Sequence, residues 1–533
     1  MHADDAAHRP WAAIGSMHDA MRGRDGWSRR QFILGSASAL GLAGLALGSG
    51  LPARARFDAY PFALGVASGD PSADGFVLWT RIATAQTDAA FLPMQDYEVD
   101  WVVAEDEALS RVVRRGRGFA RAESAHALHV ELDGLDADRW YWYQFRCGGE
   151  TSPVGRSRTL PAIGARVKRL RLALASCQHY EHGWYAAYRH MLGDDLDLVV
   201  HVGDYIYEGS WGAQVRRHES PRGAETLSDY RNRHACYKSD ADLQRAHAAY
   251  PWLVTWDDHE VSNDYAARES AYGEPADTFA ARRAAAYRAY CEHMPLRARN
   301  RATNLLYRRF AFGDLATLSL LDDRQYRSAH ACATRGPMLG ADCAELREPQ
   351  RSLLGTRQQE WLESSLAGSN GRWNVIAQQT LIAPFASREG DGVERVWNDG
   401  WDGYPRARER LLGFIGERQV PNVVTLGGDV HAFYANDLKA DFTDPSSATL
   451  ASEFVGTSIS SAGDDYAGRA RDLALNPHVR YFENRSRGYL RCEVTPDLWR
   501  SDCVAIDDVT DPRSTARTLR TLHVESGRAG VQG

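Results

Sequence analysis

"DLVVHVGDYIYE", residues 197–208, decides the fold and sets the chemical question. Leu198, Val199, Val200 and Val202 form a β-branched, apolar run, the pattern of a strand buried on both faces. The run ends in Gly203, then Asp204, then Tyr207. A buried strand that delivers a carboxylate and a phenol to its C-terminal end is a strand that serves a site.

Working outward, the same pattern recurs. "LRLALASC" (170–177) is a buried strand ending at Cys177, with Gln178 and His179 beside it. "WLVTWDDHE" (252–260) ends in Asp257, Asp258, His259 and Glu260, with Asn263 just beyond. "LATLSLLDDRQYRS" (315–328), "RWNVIAQQTL" (372–381) and "NVVTLGGDVHAF" (422–433) are further strands with polar endings. Helical stretches lie between them, at 183–193, through 225–250 and at 280–294. Strands alternating with helices argue for an α/β layered domain, in which ligands gather at the carboxyl ends of the strands. Cys177, Asp204 with Tyr207, Asp257 with Asp258 and His259, Gln378 with Gln379, and Asp429 with His431 then converge on one place. A thiolate, a phenolate and an imidazole suit a softer or redox-capable ion, and carboxylates and amide oxygens a harder one. Asp204 bridges the two in this reading, and Tyr207 ligates one of them. Taken singly, each residue has a plainer use: Cys177 as a small buried hydrophobe, Asp204 as a helix cap, Gln378 and Gln379 as a solvated strand end, His431 as a structural histidine.

Residues 56–165 read differently. "FVLWTRI" (76–82), "YEVDWVVA" (97–104), "HALHVEL" (126–132) and "YWYQFRC" (141–147) are short β-rich runs separated by Gly, Asp and Pro clusters, which predicts a small immunoglobulin-like sandwich. The chain leaves it through "SRTLPAIGARVKR". The expected organisation is a leader over 1–55, a β-sandwich over 56–165 and a catalytic domain over 166–533.

The leader is "SRRQFILGSASALGLAGLALGSGLPARA" (28–55). Arg29–Arg30 precede a mildly apolar Ala/Gly/Leu run, and Pro52, Ala53 and Ala55 supply an A-x-A type cleavage site, so a twin-arginine signal peptide is expected. The alternative is a membrane anchor over residues 31–51, long enough to span. Met21 is a more usual start for such a signal. Twin-arginine export carries folded, often cofactor-loaded proteins, so the export machinery is an expected partner, the mature protein is placed in the periplasm or outside the cell, and no stable span remains after removal.

The 533 residues carry a net charge of −7, 44% hydrophobic and 25% charged residues, ordinary globular values that give nucleic-acid binding no support. Among eight cysteines, Cys332 with Cys343 and Cys492 with Cys503 are candidate pairs. No C-x-x-C occurs, and no G-x-S-x-G elbow sits near a suitable strand. A monomer is expected.

"GDYIYE", "TWDDHEVSNDY", "LLDDRQYRS", "WDGYPRARERLL" and "LGGDVHAFYANDL" resemble the signatures of the PhoD family of alkaline phosphatases and phosphodiesterases, within the metallophosphoesterases. "PFALGVASGDPSADGFVLWTR" is similar to that family's N-terminal domain and "YFENRSRGYLRCEVTPDLWR" to its C-terminal part, so the likeness covers nearly the whole chain after the leader. It implies a four-layer metallophosphoesterase domain behind an immunoglobulin- or fibronectin-like β-sandwich. It implies iron(III) on Cys177, Asp204, Tyr207 and His431, and calcium on Asp204, Asp258, Asp429 and an amide oxygen placed at Gln379. It puts His259 near the leaving group, with Asn263 and Arg324 as phosphate contacts. The chain departs from the superfamily in Asp258–His259, where Asn-His is common, and in Asp429-Val430-His431, where His-x-His is common. Both changes put carboxylates in place of neutral ligands and favour calcium over zinc. Asp323 stands where Thr or a similar residue is expected.

The implied activity is metal-dependent hydrolysis of phosphate mono- and diesters by a metal-bound hydroxide, with a purple phenolate–iron colour. The alternatives are a phospholipase-D-like diesterase on the same site, with access set by loops such as 330–350 and 386–402, and a non-enzymatic periplasmic metal-binding module.

Overall fold

Parallel strands buried on both faces form the centre of the molecule, in two facing sheets. The computed structural model describes residues 56–84, 92–212, 214–388, 390 and 392–533, so the leader reading lies outside the described residues. The first sheet has nine strands in the order Ala516–Glu525, Leu498–Ile506, Arg487–Val494, Leu170–Ala175, Leu198–His201, Pro251–Val254, Val66–Ser72, Gly75–Arg81 and Ala127–Leu132. The four from Leu170–Ala175 to Val66–Ser72 are mutually parallel. The second has seven, in the order Arg308–Phe312, Ala316–Leu320, Trp373–Ala377, Val423–Gly427, Thr449–Val455, Phe433–Lys439 and Val479–Glu483, with the second to fifth parallel.

Leu172, Leu174, Val200 and Leu490 of the first sheet meet Leu318, Trp373, Val375 and Leu426 of the second in one apolar core. The other faces are covered by helices. Ala186–Met191, Leu227–Lys238, Ala241–Ala249 and Ala276–His293 pack on the first sheet through Tyr188, Tyr237, Leu243 and Tyr290. Gly355–Ala367 and Pro405–Glu417 pack on the second through Leu362, Leu411 and Ile376. The result is four layers, helix–sheet–sheet–helix, which is the expected fold. Local signals agree with it. Thr226 and Asp229 form a reciprocal capping box at the start of Leu227–Lys238, and Pro405 opens Pro405–Glu417 at its first turn.

The N-terminal strands show the expected alternation. In Trp140–Cys147, Tyr141, Tyr143, Phe145 and Cys147 point inward and the residues between them outward. This strand joins Tyr97–Ala104 and Val112–Ala120 in a separate five-stranded sheet. The opposing sheet of the sandwich is Val66–Ser72, Gly75–Arg81 and Ala127–Leu132, which also extends the large sheet through Ser68 opposite Pro251. The expected boundary near 165 therefore crosses a continuous sheet, and Ala55–Gly533 form one compact unit. Among the described residues no helix is long and apolar enough to cross a membrane.

Cys332 and Cys343 are bonded as a disulfide. Cys492 and Cys503 are not. The hairpin register sets Cys492 opposite Ser501 and Cys503 opposite Leu490. The two thiols therefore stand on a diagonal, where neighbours lie about 7–8 Å apart, beyond the reach of a disulfide.

Candidate metal centre

The ends of the parallel strands of both sheets turn toward one another, and most of the turns are left-handed. Cys177, Asp204, Asp429 and His431 all have positive φ, between 50° and 66°. Such a conformation costs non-glycine residues of order 1–3 kcal/mol each and persists only where surroundings impose it. Four in one place point to function. Two glycines make the approach possible. A Cβ on Gly203 would lie 2.3 Å from that of Asp257, and one on Gly428 2.5 Å from Ser176 Oγ.

Donor atoms of Cys177, Asp204 and His431 lie within 4.8 Å of one another, as do those of Asp204, Asp257, Asp258 and Asp429, and those of Asp204, Asp258 and His259. Asp204 belongs to all three groups, which is the position of a bridging carboxylate. Tyr207 Oη donates to Asp204 Oδ2 at 2.9 Å and lies 3.1 Å from His431 Nε2. His431 Nδ1 is 2.6 Å from the Ala462 carbonyl, so Nδ1 carries the proton and the Nε2 lone pair faces the cluster. Burial holds this imidazole neutral, its pKa lowered to about 4.

The electrostatics demand a cation. Asp204 Oδ1, Asp258 Oδ1 and Asp429 Oδ2 are buried without hydrogen-bond partners. Burial pushes the acids Cys177, Asp204 and Tyr207 well above their ordinary pKa values, and Asp429 up to about 7. An unpaired buried charge costs several kcal/mol, and a multivalent ion reverses that cost by holding its ligands deprotonated. The donors fit such ions, with sulfur, phenol and imidazole on one side of Asp204 and carboxylates on the other.

Other expected site residues stand elsewhere. Gln379 is not turned to the carboxylates: its Oε1 accepts the Asp323 N–H at 3.2 Å and its Nε2 donates to the Trp256 carbonyl at 2.7 Å. A strand-end amide serves as ligand or as tie, and here every group of it ties neighbouring strand ends together. Arg324 lies against the acidic cluster, and its Nη2 has no hydrogen-bond partner. It is fully buried, its Nε on Asp257 and its Nη1 on Asp399 at 2.8 Å, with Nη2 3.6 Å from Asp258 and 4.0 Å from Asp429. Although burial opposes ionisation, Arg324 and Arg327 hold Asp399 well below the usual carboxylate range. His259 is at the site, its ring 4.1 Å from that of Tyr207. Asn263 lies beside it, half-buried, its backbone N–H donating to Glu208 at 2.8 Å.

Several supporting groups had no role assigned from the sequence: Glu260 stood among the strand-end acids, and Glu208 and Arg487 were not singled out. Glu208 Oε2 is 2.7 Å from His259 Nδ1. Glu260 accepts the N–H groups of Asp204 at 3.0 Å and Asp257 at 2.6 Å, locking the two acidic loops together. Arg487 donates to the His431 and Ser461 carbonyls, both at 2.9 Å. The signal for the glutamates was present, since "GDYIYE" and "DDHE" each end in one.

A further buried group, His179, Glu181 and His218, also has ligand spacing. Its tautomers disfavour a metal. His179 Nδ1 accepts the Glu181 N–H at 3.2 Å, which puts the proton on Nε2. Tyr237 Oη already accepts N–H groups of Tyr180 and Tyr207, so its own proton goes to His218 Nε2. Both remaining nitrogens are then donors.

Residues 172–503 match the PhoD-like phosphatase family, and residues 48–161 match the PhoD-like phosphatase N-terminal domain. The chain is 45% identical over 525 residues to alkaline phosphatase D of Bacillus subtilis (strain 168), covering 95% of this chain and 89% of that protein. It superposes on a solved structure of PhoD with a TM-score of 0.85 at 46% identity, over 90% of this chain and 93% of the other. The strand-end site and these likenesses agree: the chain belongs to the PhoD-like phosphatase family and is a phosphoric ester hydrolase.

Proposed function

We propose that this is an exported, metal-dependent phosphatase with a mixed two-ion centre, acting on phosphate mono- and diesters. Iron(III) is assigned to Cys177, Asp204, Tyr207 and His431, and calcium to Asp204, Asp258 and Asp429, with Asp257 behind them on Arg324. The observation that carries the reading is the set of unpartnered carboxylate oxygens on Asp204, Asp258 and Asp429, next to a thiol, a phenol and an imidazole lone pair. When bound, the ions neutralise the phosphoryl oxygens and lower the pKa of water near neutrality.

The chain's own residues do the rest. Asp204 fixes the distance between the two ligand sets. Glu260 and Gln379 hold the loops that carry them. His259 has its Nδ1 2.7 Å from Glu208 Oε2, which fixes the ring and leaves Nε2 for the site. Its Nε2–H is the proton donor for the departing alkoxide. We assign Arg324 to the support of Asp257 and Asp258 rather than to phosphate, keep Asn263 as a phosphate contact, and retain residues 56–165 as an N-terminal domain and 28–55 as a twin-arginine signal. Hydrolysis of 4-nitrophenyl phosphate and bis(4-nitrophenyl) phosphate, abolished by chelation and restored by calcium, tests the reading. Metal-free protein with full turnover contradicts it.

A further inference from the structure

A cleft opens directly beside the metal-binding turn. Val430, between the ligands Asp429 and His431, forms part of its wall, together with Thr380, Phe385, Trp397, Tyr434 and Asn484. The enclosed space between the walls is about 40 Å³, and the cleft is otherwise open to solvent. Four of the lining residues are aromatic, Phe385, Trp397, Trp401 and Tyr434, with Phe385 and Tyr434 edge to face at 5.7 Å. The charges at the cleft are already spent. Arg469 pairs with Asp464 at 3.1 Å, and Asp402 is held by Arg408 at 2.6 Å and by the Phe385 N–H at 2.8 Å. Two polar groups are not spent: Asn484, 4% exposed, has a buried Oδ1 with no hydrogen-bond partner, and so has the Oγ1 of buried Thr380. The Asn484 Nδ2 is fixed on the Asp464 carbonyl at 3.1 Å, which orients the amide oxygen.

Resting on the hydrolase reading above, we propose that this cleft receives the organic group of the ester, and that it selects an uncharged, flat group with apolar faces and a hydrogen-bond donor at its edge. Among the described residues lining the cleft Arg469 is the one cation, and its charge is shared with Asp464, so a second phosphate or a carboxylate competes with that pair. A small alkyl group leaves the aromatic walls uncovered and Asn484 Oδ1 without a donor. A ring bonded to a phosphorus held at the metal centre enters the cleft past Val430. The strand Glu394–Trp397 pairs with Met338–Gly340, in the loop closed by the Cys332–Cys343 disulfide, and so holds Trp397 in the wall of the cleft.

The test is the inhibition of 4-nitrophenyl phosphate hydrolysis by phenylphosphonate and by methylphosphonate, which share the phosphoryl group and lack a leaving group. The wild type is expected to bind phenylphosphonate about tenfold more tightly, the worth of one well-packed apolar group. Trp397→Ala is expected to erase that advantage and leave the methylphosphonate Ki and the metal content unchanged, while Trp397→Phe restores most of it. Equal Ki values in the wild type, or an advantage that survives Trp397→Ala, overturn the subsite while leaving the hydrolase reading intact. Trp211, half-exposed with its ring 5.4 Å from that of His259, is the competing aromatic surface, and loss of the advantage in Trp211→Ala instead places the group there and overturns the subsite equally. A wild type that neither hydrolyses the ester nor binds either phosphonate overturns both readings.

Discussion

Two buried arginines stand behind the two halves of the metal centre and act in different ways. Arg324 meets side-chain charge: Asp257 and Asp399 directly, Asp258 and Asp429 within 4.0 Å. Arg487 meets carbonyls, those of His431, Ser461 and Asn484. On the carboxylate side the protein therefore supplies part of the neutralising charge itself. On the thiol–phenol side it fixes loop geometry and leaves the charge to the ion. The carboxylate side should hold its cation loosely and survive its loss. The thiol–phenol side should hold its cation tightly and suffer when it leaves.

The most severe way to break this contrast is to remove what the halves share. Asp204→Asn should deplete both ions and lower kcat by more than the about 100-fold that marks the upper range of an outer-shell change. Metal analysis and steady-state kinetics check it. Next is a change confined to one half. Tyr207→Phe should abolish visible absorption and release iron while calcium binding persists, read by absorbance and metal content together. Glu208→Gln leaves both halves intact and loosens His259. It should lower kcat about 100-fold, within the range of one general acid, with unchanged metal content. Gln379→Ala should be the mildest for chemistry. It strands the Trp256 carbonyl, costing about 1–3 kcal/mol of stability, seen as a lower Tm with both ions retained.

The strand ends were legible because buried parallel strands write themselves as unbroken apolar runs, so the first polar residue afterwards stands out. Cys177, Asp204, Asp258, Asp429 and His431 were found that way, and the structure brings them together. What polar groups do once they arrive was less legible. Gln379 and Arg324 look the same in sequence whether they meet a ligand or a neighbouring loop, and the choice depends on packing between sheets far apart in the chain. Glu260 was visible among the strand-end acids but its role was not, and Glu208 was not singled out, for the complementary reason: their partners are a ring and backbone amides, which carry no motif. Cys492 and Cys503 depended on a hairpin register, and a shift of two residues decides whether thiols meet. The four-layer core followed from alternation of strands and helices. The joining of the N-terminal strands to the large sheet rests on a pairing between Ser68 and Pro251, separated by most of the first half of the chain.

The most direct test of the mixed centre is to count iron and calcium per chain in exported protein, before and after dialysis against a calcium-selective chelator. The account predicts about one iron retained throughout, calcium lost together with activity, and both regained on adding calcium. Zinc or manganese in place of iron, or full activity after calcium has gone, would contradict it.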